Sequence, residues 1–182
     1  MKTHQVNDIE GVRISPTKSV TDDRGTFVKF HPAKEFDGIM DSIAISSNPI
    51  LGTIRGLHFQ TEPYAEEKLV SCIQGAIFDV VVDLREDSKT FGKWASFELS
   101  ATNTLQAFLP KGVAHGFQTL LSDSVVHYGL SAPYAPEYSY SIDPFGNLEI
   151  DWPLETISVS KRDTSGVSFL FAAQQYAESL KN

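Results

Sequence analysis

Five short segments carry side chains able to move a proton or hold an anion: DDRGTF, IRGLHFQ, EEKLV, PKGVAHGF and VVHYGL. They contribute Arg24, Arg55, His58, Lys68, His115 and Tyr128. Histidine is the side chain whose ordinary pKa suits proton abstraction near neutral pH. Arg55 and Lys68 stand in or beside strongly apolar runs, where a cation is costly to desolvate unless an anion or a developing negative charge meets it. A phosphate-bearing ligand would do so. Taken singly each residue is a weak signal, because a lone histidine on an apolar strand is ordinarily a satisfied core or surface group and a lone Arg or Lys is ordinarily solvated. A metal is the competing reading, since two imidazoles one residue apart on a strand, with a carboxylate and a third His, would hold one. The chain has His58-Phe59-Gln60 instead, so no metal site is expected. Cys72, the single cysteine, lies in the apolar run LVSCI and is expected to be a small core residue without chemistry.

These side chains need a scaffold, and the rest of the chain reads as strands. Extended runs recur at roughly 8–12-residue spacing, the pattern of a sandwich or barrel. The clearest is AIFDVVVDL: Ala76, Phe78, Val80, Val82 and Leu84 form one apolar face, while Asp79 and Asp83 lie on the other with Ile77 and Val81. GTFVKF, DSIAIS, GTIRGLHF, KLVSCIQ, KWASFELS, LQAFLP, VAHGFQTL and VVHYGLS are the other candidates. So many strands favour a closed jelly roll over an open sheet with exposed edges. VSFLFAAQQYAESL places Phe169, Ala173, Tyr176, Ala177 and Leu180 at helical spacing and predicts an amphipathic C-terminal helix. One positional difficulty arises: in a regular strand Arg55 and His58, three apart, face opposite sides, so both reach one site only if Gly56 marks a bulge.

At 182 residues, with 41% hydrophobic and 21% charged residues, the chain fits one soluble globular domain over residues 1–182. A formal charge of −8 and a pI near 5.0 argue against a nucleic-acid partner, which needs a concentrated basic surface. No apolar run suggests a leader or a membrane span, so a cytoplasmic protein without membrane contact is expected.

The segments IRGLHFQ, KLVSCIQGAIFDVVVDLREDSKTFGKW, LPKGVAHGFQTL and YGLSAPYAP, in this order and spacing, resemble the dTDP-4-dehydrorhamnose 3,5-epimerase family from about Gly11 to Asp163. The resemblance implies an all-β, cupin-type jelly roll, a homodimer, and a nucleoside-diphosphate 4-keto-6-deoxyhexose substrate without cofactor. By position, His58 resembles the family's proton acceptor, Tyr128 its proton donor, Asp163 in SKRD the carboxylate that orients the histidine, and Lys68 the residue at the 4-keto oxygen. Arg24, Arg55 and His115 resemble ligands of the diphosphate or sugar, and Tyr134 the aromatic that stacks on the nucleobase. Gln60 is grouped with these substrate-binding residues.

The implied chemistry explains the residue types. Removing a proton from C3 or C5, which flank the C4 ketone, yields an enolate whose charge settles on oxygen, where an ammonium stabilises it. Inversion then requires a second group to return the proton from the opposite face. The chain departs from the family at Lys29, Ile45, Gly129 and Ser139, where Glu, Asn, Lys and an acidic residue are usual, so altered sugar or base preference is expected. The alternatives are an enzyme that inverts only C3 or only C5, acting on a CDP- or GDP-linked sugar, and a cupin that binds sugar nucleotides without turnover.

Overall fold

The computed structural model describes residues 9–30 and 40–181. Thirteen strands are present among them: β1 (Arg13–Pro16), β2 (Lys18–Asp22), β3 (Gly25–Lys29), β4 (Ser42–Asn48), β5 (Thr53–Gln60), β6 (Lys68–Gln74), β7 (Ala76–Asp83), β8 (Trp94–Ser100), β9 (Leu105–Leu109), β10 (Val113–Thr119), β11 (Ser124–Leu130), β12 (Ser139–Ser141) and β13 (Ser158–Val159). Two helices follow, the single turn α1 (Lys161–Thr164) and α2 (Phe169–Ser179). One sheet runs β1-β9-β6-β11-β4 and the other β12-β5-β10-β7-β8, with β13 parallel on β5; β2 and β3 form a separate hairpin. The two sheets face each other in an all-β jelly roll, as the strand pattern predicts, and it is of the cupin type that the resemblance implies.

Two apolar clusters show what each sheet buries. Val70, Cys72, Ile77, Val81, Phe97, Leu109, Phe117 and Val126 fill the space between the sheets. Leu57, Phe59, Phe78, Val80, Val82, Leu84 and Ile142 lie on the outside of the second sheet, under α2 and the segments before it. Strand β7 therefore separates its side chains as alternation requires, with Phe78, Val80 and Val82 outward and Ile77, Asp79 and Val81 inward. Each fully buried Leu or Phe contributes about 1.5–3 kcal/mol by leaving water.

Helix α2 starts at Ser168, whose hydroxyl accepts from the Phe171 backbone N–H at 3.3 Å. The face it buries is Ala172, Ala173 and Tyr176, with Phe169 packed alongside; Leu180, expected on that face, is 58% exposed because the helix has ended by Ser179. Cys72 is buried in the inner core, where burial pushes its thiol up to about 11. No helix among the described residues is long and apolar enough to cross a membrane.

The bulge that Arg55 and His58 require is present. Along the β5–β10 ladder His58 pairs with His115 and Arg55 with Phe117, so three steps on β5 match two on β10. Gly56, at φ +113°, takes up the extra residue. A Cβ there would lie 2.6 Å from the Gly116 Cα and 2.7 Å from the His115 carbonyl oxygen. Gly56→Ala should lower stability by about 2–4 kcal/mol, through the strained φ and that clash. Denaturant unfolding measures the loss, and a change under 1 kcal/mol would mean that the bulge tolerates a side chain.

Candidate active site

The bulge brings Arg55 and His58 to one face of β5, because cross-strand partners share a side and Phe117 belongs to the inner core. Leu57, between them, points to the outer cluster. On the facing sheet, Tyr128 packs against the inner core and pairs with Val70, and Lys68 lies two residues before Val70 on β6. His58 and Tyr128 thus stand on opposite walls of the barrel.

His58 is held from behind. Its Nε2 donates to Asp163 Oδ1 at 2.7 Å, which leaves the lone pair on Nδ1. Asp163 lies in the turn α1, capped by Ser160, whose hydroxyl accepts from the Asp163 backbone N–H at 3.1 Å. The carboxylate also accepts from Ser141 Oγ at 2.9 Å and from the Gly56 backbone N–H at 3.4 Å. Burial alone would raise its pKa, but the hydrogen bonds and charge of His58, with those from Ser141 and Ser160, outweigh burial and hold it at about 2. Asp163 is therefore a fixed anion that orients the imidazole.

The opposite wall stays protonated. Burial, and after it the Asp79 charge, push the Tyr128 phenol well above its ordinary value, against a smaller opposite effect of Arg55. A group so placed is an acid across the working pH range. His115 lies against it, with ring centroids 6.0 Å apart and planes at 75°. Its Nε2 pairs with Asp79 Oδ2 at 2.8 Å in full burial. Burial pushes the Asp79 carboxyl up, with His115 and then Lys68 acting the other way. Asp79 is a site residue beyond the sequence reading. The signal lay in the inward face of AIFDVVVDL, where a carboxylate facing a core needs a cationic or hydrogen-bonding partner.

Lys68 Nζ donates to the His58 carbonyl oxygen at 3.2 Å and lies 3.2 Å from Glu66 Oε1. The structure therefore gathers His58, Asp163, Lys68, His115, Tyr128 and Arg55. Gln60 sits beside them but is engaged by protein: Nε2 donates to the carbonyl oxygens of Tyr64 and Pro133 and to Glu66, and Oε1 accepts from the Ala135 N–H at 2.7 Å. These bonds clamp the loop carrying Tyr134. Tyr134 is 62% exposed, and its hydroxyl accepts from Arg162 at 3.1 Å. Arg24 lies at the hairpin tip with its side chain 86% exposed and ion-paired to Asp22.

Of the positions that depart from the family, Ile45 and Gly129 lie on the outer face of the first sheet: Ile45 pairs with His127, and Gly129 with Ile43 and Leu69. Lys29, Gly129 and His127 line one cavity of about 310 Å³ there. Within one chain these three positions do not face the inner site. Ser139 accepts from Arg162 at 2.8 Å. Among the described residues no three His, Cys, Asp or Glu side chains gather as a metal-binding group.

The model of the dTDP-4-dehydrorhamnose 3,5-epimerase family matches residues 6–170. The chain belongs to that family, and it is an isomerase. It is 42% identical over 166 residues to the dTDP-4-dehydrorhamnose 3,5-epimerase of Sinorhizobium fredii, covering 86% of this chain and 84% of the relative. Among solved structures, the Legionella pneumophila 3,5-epimerase in complex with dTDP-4-keto-L-rhamnose superposes with a TM-score of 0.85 at 33% identity, covering 96% of this chain and 95% of that one. A 3′-monoepimerase from Streptomyces bikiniensis, in complex with dTDP-quinovose, gives 0.82 at 27% identity, with 94% and 97% covered.

The depressed Asp163 pKa fixes a pH dependence of stability. A carboxyl whose folded pKa lies below its unfolded value stabilises the fold above the unfolded value and loses that contribution as pH falls toward the folded one. The gap in thermal midpoint between the protein and Asp163→Asn should be full at about pH 5 and shrink as pH falls toward about 2. A gap that is constant over this range would mean that Asp163 is not held as an anion.

Proposed function

We propose that this chain, working as a single domain, inverts C3 and C5 of a dTDP-linked 4-keto-6-deoxy sugar. His58 Nδ1 removes the proton beside the ketone, the enolate oxygen meets Lys68, and Tyr128 returns a proton from the other face. One observation carries the reading: a carboxylate-held imidazole and a phenol stand on opposite walls of one barrel. A binding module needs neither. Arg55 and His115 border the same space and suit the diphosphate and sugar hydroxyls, while Tyr134 offers an exposed ring to the base.

The ligand of the L. pneumophila structure favours thymidine as the base. Lys29 lies on the hairpin and Ile45 and Gly129 on the outer face of the first sheet, so an effect of these positions on preference would act through a second copy. Arg24 has a role if the hairpin reaches a second copy. Val20 and Phe27 on the hairpin, and Ile43 and Ile45 on the sheet, are 63–70% exposed, an apolar surface that favours a homodimer. The cytoplasm, where a free thiol such as Cys72 persists, is the compartment that fits.

Incubation with dTDP-4-keto-6-deoxyglucose in D₂O, read by NMR, tests the assignment. Deuterium should enter at C3 and C5. His58→Ala should slow both exchanges by about 10²–10⁴-fold. Tyr128→Phe should keep wash-in on the original face and lose inversion. Exchange at C3 alone would make the enzyme a mono-epimerase, as its S. bikiniensis relative is, and full exchange without His58 would remove the base assignment.

A further inference from the structure

Lys68 enters the barrel with its side chain 9% exposed, paired with Glu66, whose side chain is 11% exposed. A pair this buried has lost most hydration on both sides, so attraction and desolvation nearly offset and the pair is a poor source of stability. Its geometry has another consequence. An ammonium carries three donors at fixed angles. One of them goes to the His58 carbonyl oxygen at 3.2 Å, and the ion pair with Glu66 Oε1, also at 3.2 Å, holds the ammonium from a second side. Glu66 is itself held, because its Oε2 accepts from Gln60 Nε2 at 3.3 Å and Gln60 is anchored on the Ala135 backbone. Lys68 also acts on the inward-facing Asp79, which puts its charge on the inner side of the sheet.

We propose that Glu66 is a positioning residue that holds the Lys68 ammonium where it can donate to the keto oxygen of the sugar. The position is set before substrate arrives, so the enolate meets a donor that need not reorient. The proposal rests on the role of Lys68 given above. Without the carboxylate the long Lys68 side chain is free to turn, and a misplaced donor acts on the chemical step more than on binding.

Steady-state kinetics of Glu66→Gln and Glu66→Leu, together with NMR of the lysine ammonium in protein labelled at Nζ, test this. Glu66→Leu should lower kcat about 10²-fold with KM within about threefold. Glu66→Gln keeps an oxygen acceptor and should recover most of that loss. The wild type should show a protected ammonium resonance, assigned to Lys68 by its absence in Lys68→Met, that persists in Glu66→Gln and disappears in Glu66→Leu. Glu66→Thr replaces Glu66→Leu if the latter does not fold. Turnover within about threefold of wild type in Glu66→Leu, or an ammonium signal unchanged in it, overturns the proposal. A wild type inactive on every keto sugar would instead remove the epimerase reading, and the ammonium signal would still decide whether Glu66 holds Lys68.

Discussion

The site depends on the close approach of two glycines. Gly56 on β5 and Gly116 on β10 lie so near that a methyl group on Gly56 would sit 2.6 Å from the Gly116 Cα. That contact lets β5 take one extra residue against β10, and the extra residue turns Arg55 and His58 to the same side. The Gly56 backbone N–H also reaches Asp163, the anion that orients His58. The bend in the strand and the orientation of the base therefore share one residue. A regular β5 would send one of the two side chains into the apolar layer beneath α2.

The inner wall collects ionisable side chains in pairs, most of them buried. Asp79 faces His115, Glu66 faces Lys68 and Asp163 faces His58. Breaking the Glu66–Lys68 pair leaves a buried ion alone, which costs several kcal/mol, whereas an apolar replacement of the whole pair would cost much less. Such pairs are a weak means of holding a fold together and a good means of holding groups at fixed angles around a reacting carbonyl. The packed outer cluster under α2 supplies the stability on which they depend.

Much of this was legible in the residues. Period-two alternation in AIFDVVVDL marked the inward face of β7, and KLVSCIQ is β6 from end to end. The need for a bulge at Gly56 followed from counting. The short strands β1, β2, β12 and β13 were not legible, because pieces of two to five residues carry too little alternation to stand out. Asp79 was missed for another reason: a carboxylate acquires its meaning from a partner on another strand, here His115 on β10, and register is not written in either segment. Lys68 was read as awaiting a ligand anion, when Glu66, two residues earlier, already supplies one. Lys29, Ile45 and Gly129 were singled out by the resemblance alone, as departures from the family's usual residues, and alternation on β4 and β11 turns Ile45 and Gly129 outward, to the face whose cavity Lys29 also lines.

The central claim is that base and acid act on opposite faces of one sugar held between the two sheets. A crystal structure with a dTDP-linked 4-keto-6-deoxy sugar bound tests it most directly. The account predicts the ketone oxygen within hydrogen-bonding distance of Lys68 Nζ, His58 Nδ1 toward one face of the ring and Tyr128 Oη toward the other. A sugar bound outside the barrel, or one with His58 and Tyr128 on the same face, would contradict it.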